Sequence, residues 1–142
     1  MAADMPAVFT WPVRIYYEDT DAGGIVFYAN YLKFFERART EWLRARGVDQ
    51  HAMAQDDAAI FVVKHAAIDY HAPARLDDVL NLTLSIQKIG RVSVQFAQQA
   101  WCGDVLLCSA QVKVGCVDAA TLRPRPLPPA AAAKMLAACS TT

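Results

Sequence analysis

The 142-residue sequence has no excess of charge of either sign, since 14 lysines and arginines balance 14 acidic residues. A protein that binds nucleic acid usually presents a strongly basic face to it. The balance therefore argues against a nucleic-acid partner. It does not bear on a local site for a smaller anion, which a few arginines can form.

Long hydrophobic runs are also absent. A membrane-spanning helix requires about 18 or more consecutive apolar residues, and no stretch of the sequence approaches that length. The amino terminus has no apolar segment behind a basic start, so it does not resemble a secretory signal. We therefore expect no transmembrane segment and a cytoplasmic location.

The cysteines lack the spacing of a metal site or of a CxxC redox motif. We expect all of them to be free thiols in a reducing cytosol: Cys102, Cys108, Cys116 and Cys139. Cys108 and Cys116 lie in segments rich in valine and leucine, which predicts small buried side chains rather than nucleophiles. We expect no bound metal ion.

The stretch "EDTDAGG", residues 18–24, lacks the features of the common phosphate and calcium loops. It has neither GxGxxG nor GK[ST], which argues against a phosphate-binding loop. On the EF-hand pattern, position 5 is Gly23, which has no side-chain oxygen, and position 12 is Asn30 in place of a bidentate glutamate. Carboxylates this close repel one another, and burying one costs free energy unless it is paired. The stretch is therefore either a solvated turn or a site that uses a carboxylate.

Hydrophobic periodicity predicts one strand followed by one long helix. Alternation from about Trp11 to Tyr17 is typical of a strand with one buried face. After Gly23 and Gly24 the apolar residues recur every three or four positions, which predicts an amphipathic helix from about Asn30 to a stop at Gly47. Its apolar face comprises Tyr31, Phe34, Phe35, Ala38, Trp42 and Ala45.

The second half of the sequence predicts four more strands. After a polar patch at residues 55–57, the segments "AIFVVKHAAIDYHAP" and "DVLNLTLSIQKIGRVSVQFAQQAWCGDVLLCSAQVKVGCVD" show strand-like alternation. "KIGRV" and "CGD" are tight enough for antiparallel hairpins, and "PRPLPPAAAAKMLAA" predicts a short final helix after a proline-rich exit. We therefore expect an α+β fold with a curved antiparallel sheet of about five strands around the long helix. Residues 1–142 are expected to form one domain, with its core at about 11–128.

A carboxylate on a glycine-rich loop just before a helix lies near N–H groups that the helix leaves unpaired. Such groups can receive the negative charge that develops on a carbonyl oxygen under attack. The aspartate can attack the carbonyl itself, or it can deprotonate a water molecule that attacks. This is the chemistry of acyl transfer to water, for which a thiolate is a good leaving group.

The stretch "RIYYEDTDAGGIVFYANYLKFFERARTEWLR" resembles the signature of the hotdog acyl-CoA thioesterases of the 4-hydroxybenzoyl-CoA thioesterase class, and most closely the Tol-Pal-associated (YbgC-like) group. The likeness continues through "DYHAPARLDDVL", "IGRVSVQF" and "RPRPLP", from about Trp11 to Pro128. It implies a hotdog fold and hydrolysis of an acyl-CoA thioester to the free acid and CoA. It implies no cofactor, because coenzyme A enters as part of the substrate.

The resemblance also implies roles for residues of this chain. The family's essential aspartate matches Asp21, as nucleophile or general base, and the family's oxyanion donor is a backbone N–H that matches Tyr28 or its neighbours. We expect Gly24 and Ala29 to contact the substrate. Many members of the Tol-Pal-associated group carry histidine where this chain has Tyr28, so we expect no histidine-assisted mechanism here.

The phosphates of coenzyme A require positively charged or hydrogen-bond-donating side chains to bind them, even in a protein with no net charge. Arg91 in the "IGR" hairpin, with Ser93 close behind it, is the first candidate for binding the substrate in this way, and Arg75 and Lys88 are weaker candidates. We expect His65 and His71 to be structural histidines whose hydrogen bonds are satisfied. We expect His51 to lie in a loop.

Two alternatives to a thioesterase share the fold. Hotdog hydratases combine aspartate with histidine, often as Asp-x4-His, but the residue five after Asp21 is Val26 and no histidine lies between Met1 and Gln50. A non-catalytic acyl-CoA-binding or scaffold protein of an envelope or lipid complex would need only the fold. An intact Asp21 followed by two glycines favours the enzyme.

An open sheet of five strands leaves two edges whose N–H and C=O groups invite pairing with another chain. The resembled families join two sheets edge to edge into a dimer and two dimers into a tetramer, with each active site at a subunit boundary. This implies a homotetramer, built as a dimer of dimers, in which Arg91 of a neighbouring chain completes the site around Asp21.

Overall fold

The structure, a computed structural model, describes residues 8–138. Its strands are β1 (Phe9–Arg14), β2 (Ala59–Tyr70), β3 (Val79–Ile89), β4 (Ser93–Cys102) and β5 (Val105–Asp118). Its helices are α1 (Asn30–Ala45), α2 (Gln50–Asp56) and α3 (Pro129–Ala138), and a 3-10 turn (Tyr17–Asp19) follows β1. The predicted order of strand, long helix, four strands and short final helix is confirmed.

The five strands form one antiparallel sheet in the order β1-β3-β4-β5-β2. β3, β4 and β5 are consecutive hairpins, and their turns lie at the predicted positions around Gly90 and Gly103. β1 and β2 occupy the two edges. β1 and β2 run parallel at the two edges, so α1 carries the chain from the end of the sheet where β1 stops to the opposite end, where β2 starts. The connection after β2 crosses the end of the sheet where β3 starts. The predicted α+β architecture is confirmed.

The core lies between α1 and the sheet. The helix residues that periodicity assigned to the buried face are buried, apart from Ala45, and Leu43 joins them: Tyr31, Phe34, Phe35, Ala38, Trp42 and Leu43. They meet alternate residues of β3 and β4, and the rings of Trp42 and Phe96 pack edge to face with centroids 5.7 Å apart. Burying a large apolar side chain stabilises a fold by about 1.5–3 kcal/mol, so this helix face accounts for much of the packing.

One polar side chain, Gln98, is fully buried within the described core, at 1% exposure. Its Nε2 donates to the carbonyl oxygen of Phe35 at 3.0 Å, and its Oε1 accepts from Nη1 of Arg39 at 3.0 Å. Both ends of the amide are therefore satisfied, which removes most of the penalty for burying it. This bridge fixes the middle of α1 against β4, and burial lowers the pKa of the Arg39 guanidinium.

The first strand ends earlier than its alternation suggested. We expected it to reach Tyr17, but β1 ends at Arg14, and Tyr17 begins the 3-10 turn. The side chain of Asp19 explains the difference, because its Oδ2 accepts a hydrogen bond from the backbone N–H of Tyr16 at 2.8 Å. That side-chain bond takes a donor that a longer strand would have used for sheet pairing.

The helix α2 was not predicted, and the expectation that His51 lies in a loop was wrong. Asp49 begins this helix, with its Oδ1 accepting from the N–H of Ala52 at 3.0 Å. Only Met53 of its seven residues is buried. A helix this short and polar has little hydrophobic periodicity, so its cap was the only local signal.

The cysteines behave as small core residues where the structure describes them. Cys108 and Cys116 are buried free thiols, as predicted, and Cys102 is half-buried and free. Burial raises the pKa of Cys108 to about 12 and also raises that of Cys116. These two thiols are therefore poor nucleophiles at neutral pH. Cys139 lies outside the described residues.

In the part of the chain from residue 8 to residue 138, no helix has both the length and the apolar character to cross a membrane.

Candidate active site

The loop between the 3-10 turn and α1 presents the carboxylate of Asp21 at the surface. Oδ1 of Asp21 accepts hydrogen bonds from the N–H of Gly23 at 2.8 Å and of Ile25 at 3.4 Å. The carbonyl oxygen of Asp21 accepts from the N–H of Gly24 at 3.0 Å. The side chain is thus oriented by its own turn, while its second oxygen, Oδ2, has no protein donor within residues 8–138.

The two residues after Ala22 favour glycine for different reasons. A Cβ at Gly23 would lie 3.2 Å from Oδ1 of Asp21, closer than most Cβ contacts, so the carboxylate would have to shift by a few tenths of an ångström. Gly24 has a φ of +81°, a left-handed conformation in which a side chain is strained. The "GG" pair therefore fits the turn that orients Asp21.

The loop is tied to the rest of the fold on both sides. The N–H of Asp21 donates to the carbonyl of Ile25 at 2.8 Å, and the N–H of buried Val26 donates to the carbonyl of Ala74 at 2.9 Å. Ile25 also forms an isolated bridge with Arg75. These contacts hold the carboxylate on a rigid frame beside the segment that follows β2.

Asp19 has a structural role that its neighbour Asp21 lacks. Besides capping the 3-10 turn, Asp19 accepts at its carbonyl oxygen from the N–H of Phe27 at 3.0 Å and from Nδ2 of Asn30 at 2.9 Å. It therefore joins the loop to the first residue of α1. Glu18 is exposed. Of the three clustered carboxylates, Asp21 is the one held by the glycine turn with an oxygen free.

The start of α1 is open to a ligand. Ala29, which takes the N-cap position with φ −69° and ψ −19°, has no side chain that could cap the helix. We expected Asn30 near this cap, but it is the first helical residue, and its amide reaches back to Asp19. The N–H groups of Tyr28 and Ala29 have no acceptor in the described structure. Unpaired amides at a helix start attract negative charge.

An aromatic cluster borders this helix start. The ring of Tyr28, 63% exposed, lies 4.9 Å from Phe27 and 6.0 Å from Tyr70 between centroids, and Tyr31 lies 5.7 Å from Tyr70. The hydroxyl of Tyr70 donates to the carbonyl oxygen of Tyr28 at 3.0 Å. Burial raises the pKa of Tyr31 to about 12 and also raises that of Tyr70, so both phenols are neutral at pH 7.

A shallow depression lies beside these tyrosines. It is lined by Ile25, Val26, Tyr28, Tyr31, Tyr70, His71, Ala72 and Pro73. His71 is satisfied, as predicted, since its Nε2 lies 2.9 Å from Oγ of Ser109. His65 was expected to be structural, but its side chain is exposed on β2 and has no hydrogen-bond partner within residues 8–138, so that expectation was wrong. The depression therefore offers a largely apolar surface with three tyrosine rings next to the free N–H groups.

The structure separates Arg91 and Ser93 from Asp21 within one chain. Asp21 lies near the start of β3, where Asp78 pairs with Ile15, whereas Arg91 occupies the turn after the far end of that strand. A strand the length of β3 spans about 33 Å. Lys88 lies at the same far end, while the backbone of Arg75 adjoins the Asp21 loop through its bridge with Ile25.

Metal ligands are not grouped in this region: among residues 8–138, no three or more His, Cys, Asp and Glu side chains are placed to hold a metal ion together. The polar groups around the loop include the carboxylate of Asp21, the N–H groups of Tyr28 and Ala29, and the phenols of Tyr31 and Tyr70. Such a set can bind and polarise a carbonyl and can activate water or form an acyl bond.

Comparison with known proteins points to one family. The sequence model of the thioesterase superfamily matches residues 23–109, more than half of the chain, and the match begins two residues after Asp21. An acyl-CoA thioester hydrolase YbgC from Escherichia coli O6:H1 is 47% identical over 122 residues, covering 85% of this chain and 90% of that protein. The acyl-CoA thioesterase YbgC of Haemophilus influenzae is 44% identical over 120 residues, covering 84% and 88%.

A solved structure agrees with these sequence relatives. The crystal structure of a probable thioesterase from Bartonella henselae superposes with a TM-score of 0.82 at 32% identity, covering 86% of this chain and 100% of that one. The five-stranded sheet wrapped around a long helix is therefore the arrangement that this group of proteins shares.

Proposed function

This chain belongs to the thioesterase superfamily and has its hotdog fold, and we propose that it hydrolyses acyl-CoA to a free acid and CoA by means of Asp21 and the open start of α1. That it is a thioester hydrolase follows from the close relatives. The observation that supports the site is the juxtaposition along the chain of a turn-held carboxylate and a helix start with two amides that have no acceptor.

In the general-base route, Asp21 removes a proton from a water molecule as the water oxygen bonds to the thioester carbon. The carbonyl oxygen becomes an oxyanion, which accepts hydrogen bonds from the N–H groups of Tyr28 and Ala29. Collapse of this intermediate breaks the carbon–sulfur bond, and the proton held by Asp21 passes to the CoA thiolate. Preorganised amides of this kind contribute about 10²- to 10³-fold each to rate.

In the nucleophilic route, an oxygen of Asp21 bonds to the thioester carbon, and the CoA thiolate leaves and takes up a proton from solvent. Water then attacks the resulting anhydride and regenerates the carboxylate. The amides of Tyr28 and Ala29 serve both tetrahedral intermediates. Oδ2 of Asp21 is open to either route, because the turn holds only Oδ1.

Tyr28 contributes its main chain in this proposal. Its exposed ring and hydroxyl lie among aromatic neighbours, and its hydroxyl has no hydrogen-bond partner in the described structure. Gly24 and Ala29 contact the substrate through their backbones. The aromatic depression beside them is the surface we assign to the acyl group.

A second chain would bring Arg91 close to Asp21, although the two residues lie far apart within one chain. β2 is an edge strand of 12 residues, whereas the opposite edge, β1, has six and contains Pro12. The long, proline-free edge is the better one for pairing with another chain. We propose that two copies join antiparallel along β2, and that two such dimers form a tetramer.

The register of the sheet indicates what such a dimer would bring together. Ser93 pairs with Gly115, and Gly115 pairs with Val62, so the Arg91 hairpin lies at the Val62 end of β2. The tyrosines of the helix start lie at the other end, next to Tyr70. A two-fold axis near the middle of β2 would place the Arg91 hairpin of one chain toward the Asp21 loop of the other. Arg91 and Ser93 would then face the CoA of the neighbouring site, with Arg75 on the near side.

The experiment that tests this function is the steady-state release of free CoA by the purified wild-type protein from short-chain, long-chain and aromatic acyl-CoAs. We expect turnover with at least one class, with free acid and CoA formed in equal amounts. Binding of acyl-CoA without release of CoA from any of them would contradict the proposal and favour a non-catalytic acyl-binding protein.

A further inference from the structure

Tyr70, the last residue of β2, contacts the peptide group that joins Tyr28 to Ala29. It does so on the carbonyl side, opposite the N–H of Ala29 that we assign to the oxyanion site. Its hydroxyl donates to the carbonyl oxygen of Tyr28 at 3.0 Å, across 42 positions of sequence. We infer that Tyr70 is a positioning residue that aims the N–H of Ala29 at the developing oxyanion. This inference depends on the proposed function, because it assigns Tyr70 to the same site.

The argument starts from the geometry of the peptide unit. The carbonyl of Tyr28 and the N–H of Ala29 belong to one planar group and point in opposite directions. A hydrogen bond that fixes the oxygen on one side therefore fixes the direction of the N–H on the other. That N–H has no acceptor of its own in the described part of the chain, so Tyr70 constrains the peptide without occupying the donor.

The neighbouring peptide is held in a different way. The carbonyl of Phe27, which shares its peptide with the N–H of Tyr28, accepts from the N–H of Asn30 at 2.9 Å within the helix turn. The carbonyl of Tyr28 receives only a long local bond, 3.4 Å from the N–H of Tyr31. Bonds of that length are weak. The hydroxyl of Tyr70, at 3.0 Å, therefore makes a shorter hydrogen bond to this carbonyl than the N–H of Tyr31 does.

Contacts with two other rings orient the side chain of Tyr70, which is 47% exposed. Its ring meets Tyr28 edge-on at 89° and Tyr31 at 63°, and Tyr31 is 3% exposed and anchored in the core. The raised pKa of Tyr70 keeps its hydroxyl protonated and able to donate at neutral pH. Donation to a peptide carbonyl also polarises the peptide and strengthens its N–H as a donor. Both effects act on the transition state, in which the oxyanion forms.

The test is Tyr70→Phe, which keeps the ring and removes the hydroxyl. An interaction made only in the transition state lowers kcat while leaving substrate binding unchanged. We expect kcat to fall roughly tenfold, the scale of one lost hydrogen bond, with KM for acyl-CoA within about twofold of wild type. The matched control is Tyr17→Phe, because Tyr17 is 82% exposed and lies on the 3-10 turn; its kinetics should not change.

A second readout separates positioning from packing. A CoA thioether bearing a trifluoromethyl ketone mimics the tetrahedral oxyanion, so its Ki should rise in Tyr70→Phe by about the factor by which kcat falls, while binding of a ground-state CoA thioether is unaltered. Equal weakening of both ligands would overturn the inference, since it indicates a packing defect. Full activity of Tyr70→Phe, with Asp21→Asn inactive, would overturn the role of Tyr70 and leave the proposed function intact. Full activity of Asp21→Asn would instead count against the proposed function itself.

Discussion

The carboxylate of Asp21 and the backbone N–H of Gly23 are joined by a hydrogen bond of 2.8 Å, so the proposed catalytic group is oriented by the turn that immediately follows it. One carboxylate oxygen is used for this bond, and the other has no protein donor within residues 8–138. The relationship explains why a glycine pair follows the aspartate. It also makes the orientation of Asp21 sensitive to a single methyl group.

Gly23→Ala should therefore reduce activity without unfolding the protein. The new Cβ would lie 3.2 Å from Oδ1 of Asp21 and would displace the carboxylate by a few tenths of an ångström from its present position. We expect kcat to fall by about tenfold or more, the scale expected when a general base is misplaced. Wild-type kcat in a folded Gly23→Ala variant would contradict the role assigned to Gly23.

Ala29→Pro should remove one proposed oxyanion donor. Ala29 has φ −69°, which proline adopts, and proline lacks the N–H. Proline here also disfavours the helical conformation of the preceding Tyr28 in the turn that Asn30 closes onto Phe27, so the variant changes the start of α1 as well. We expect a loss of about 10²-fold in kcat, the usual effect of deleting one such donor. Circular dichroism and the melting temperature check the fold.

Tyr28→Phe is the companion to that variant. It retains every backbone N–H and should keep kcat within about twofold of wild type. If Tyr28→Phe were as inactive as Ala29→Pro, the phenol would be a direct participant and the backbone account would be wrong.

The hydrogen bonds of Asp118 lead to a prediction of how the stability of the fold depends on pH. Its Oδ1 accepts from the N–H groups of Ala120 and Thr121, each at 2.9 Å, and these bonds hold the pKa of the carboxyl below its ordinary value of 3.8. A lowered pKa contributes stability that is present above pH 3.8 and is lost as the pH falls through the lower, folded-state pKa. Asp118→Ala should therefore lower the melting temperature at pH 7, and the difference from wild type should shrink below pH 3.8.

Thermal melts at pH 7, 4 and 3 check this. Asp104→Ala is the control, because Asp104 lies in an exposed turn and its carboxylate has no partner within residues 8–138. A constant difference between Asp118→Ala and wild type over the whole series would contradict the assignment.

How well the sequence predicts a feature of this fold depends on how far apart along the chain the interacting residues lie. The buried face of α1 could be read from periodicity, since a helix packs one stripe of side chains whatever its partner is. The hypothesis that Asp21 and the start of α1 form one site could be made from the sequence, because the two are close along the chain. β1 was predicted too long because the Asp19 side-chain bond leaves no trace in hydrophobic alternation.

Other features depend on contacts between distant parts of the chain. Tyr70 reaches Tyr28 across 42 residues, and no local pattern carries that contact. Gln98 reads as an ordinary polar residue on a strand, yet it is buried because Arg39 and Phe35 satisfy it. The position of Arg91 at the far end of β3 depends on how the strands are laid out in the sheet.

Subunit complementation tests the proposed assembly. Asp21→Asn removes the carboxylate from one site and Arg91→Ala removes a CoA contact from the neighbouring one, so a mixed dimer would contain one site with both groups intact. After subunit exchange, verified by mass-tagged chains, we expect the mixture to recover measurable turnover that neither variant has alone. Sedimentation that shows a fully active monomer at the assay concentration would contradict the dimer as the active unit.

The measurement that tests the central claim most directly is the steady-state kcat of Asp21→Asn on an acyl-CoA that the wild type hydrolyses, beside that of Asp19→Asn. The amide at position 21 retains the shape of the side chain but can neither attack the thioester nor accept a proton from water, whereas the amide at position 19 can still accept the bond from Tyr16. We predict a loss of at least about 10²-fold for Asp21→Asn, a much smaller loss for Asp19→Asn, and unchanged circular dichroism for both. Asp21→Asn at near wild-type activity, or equal losses in two folded variants, would contradict the account.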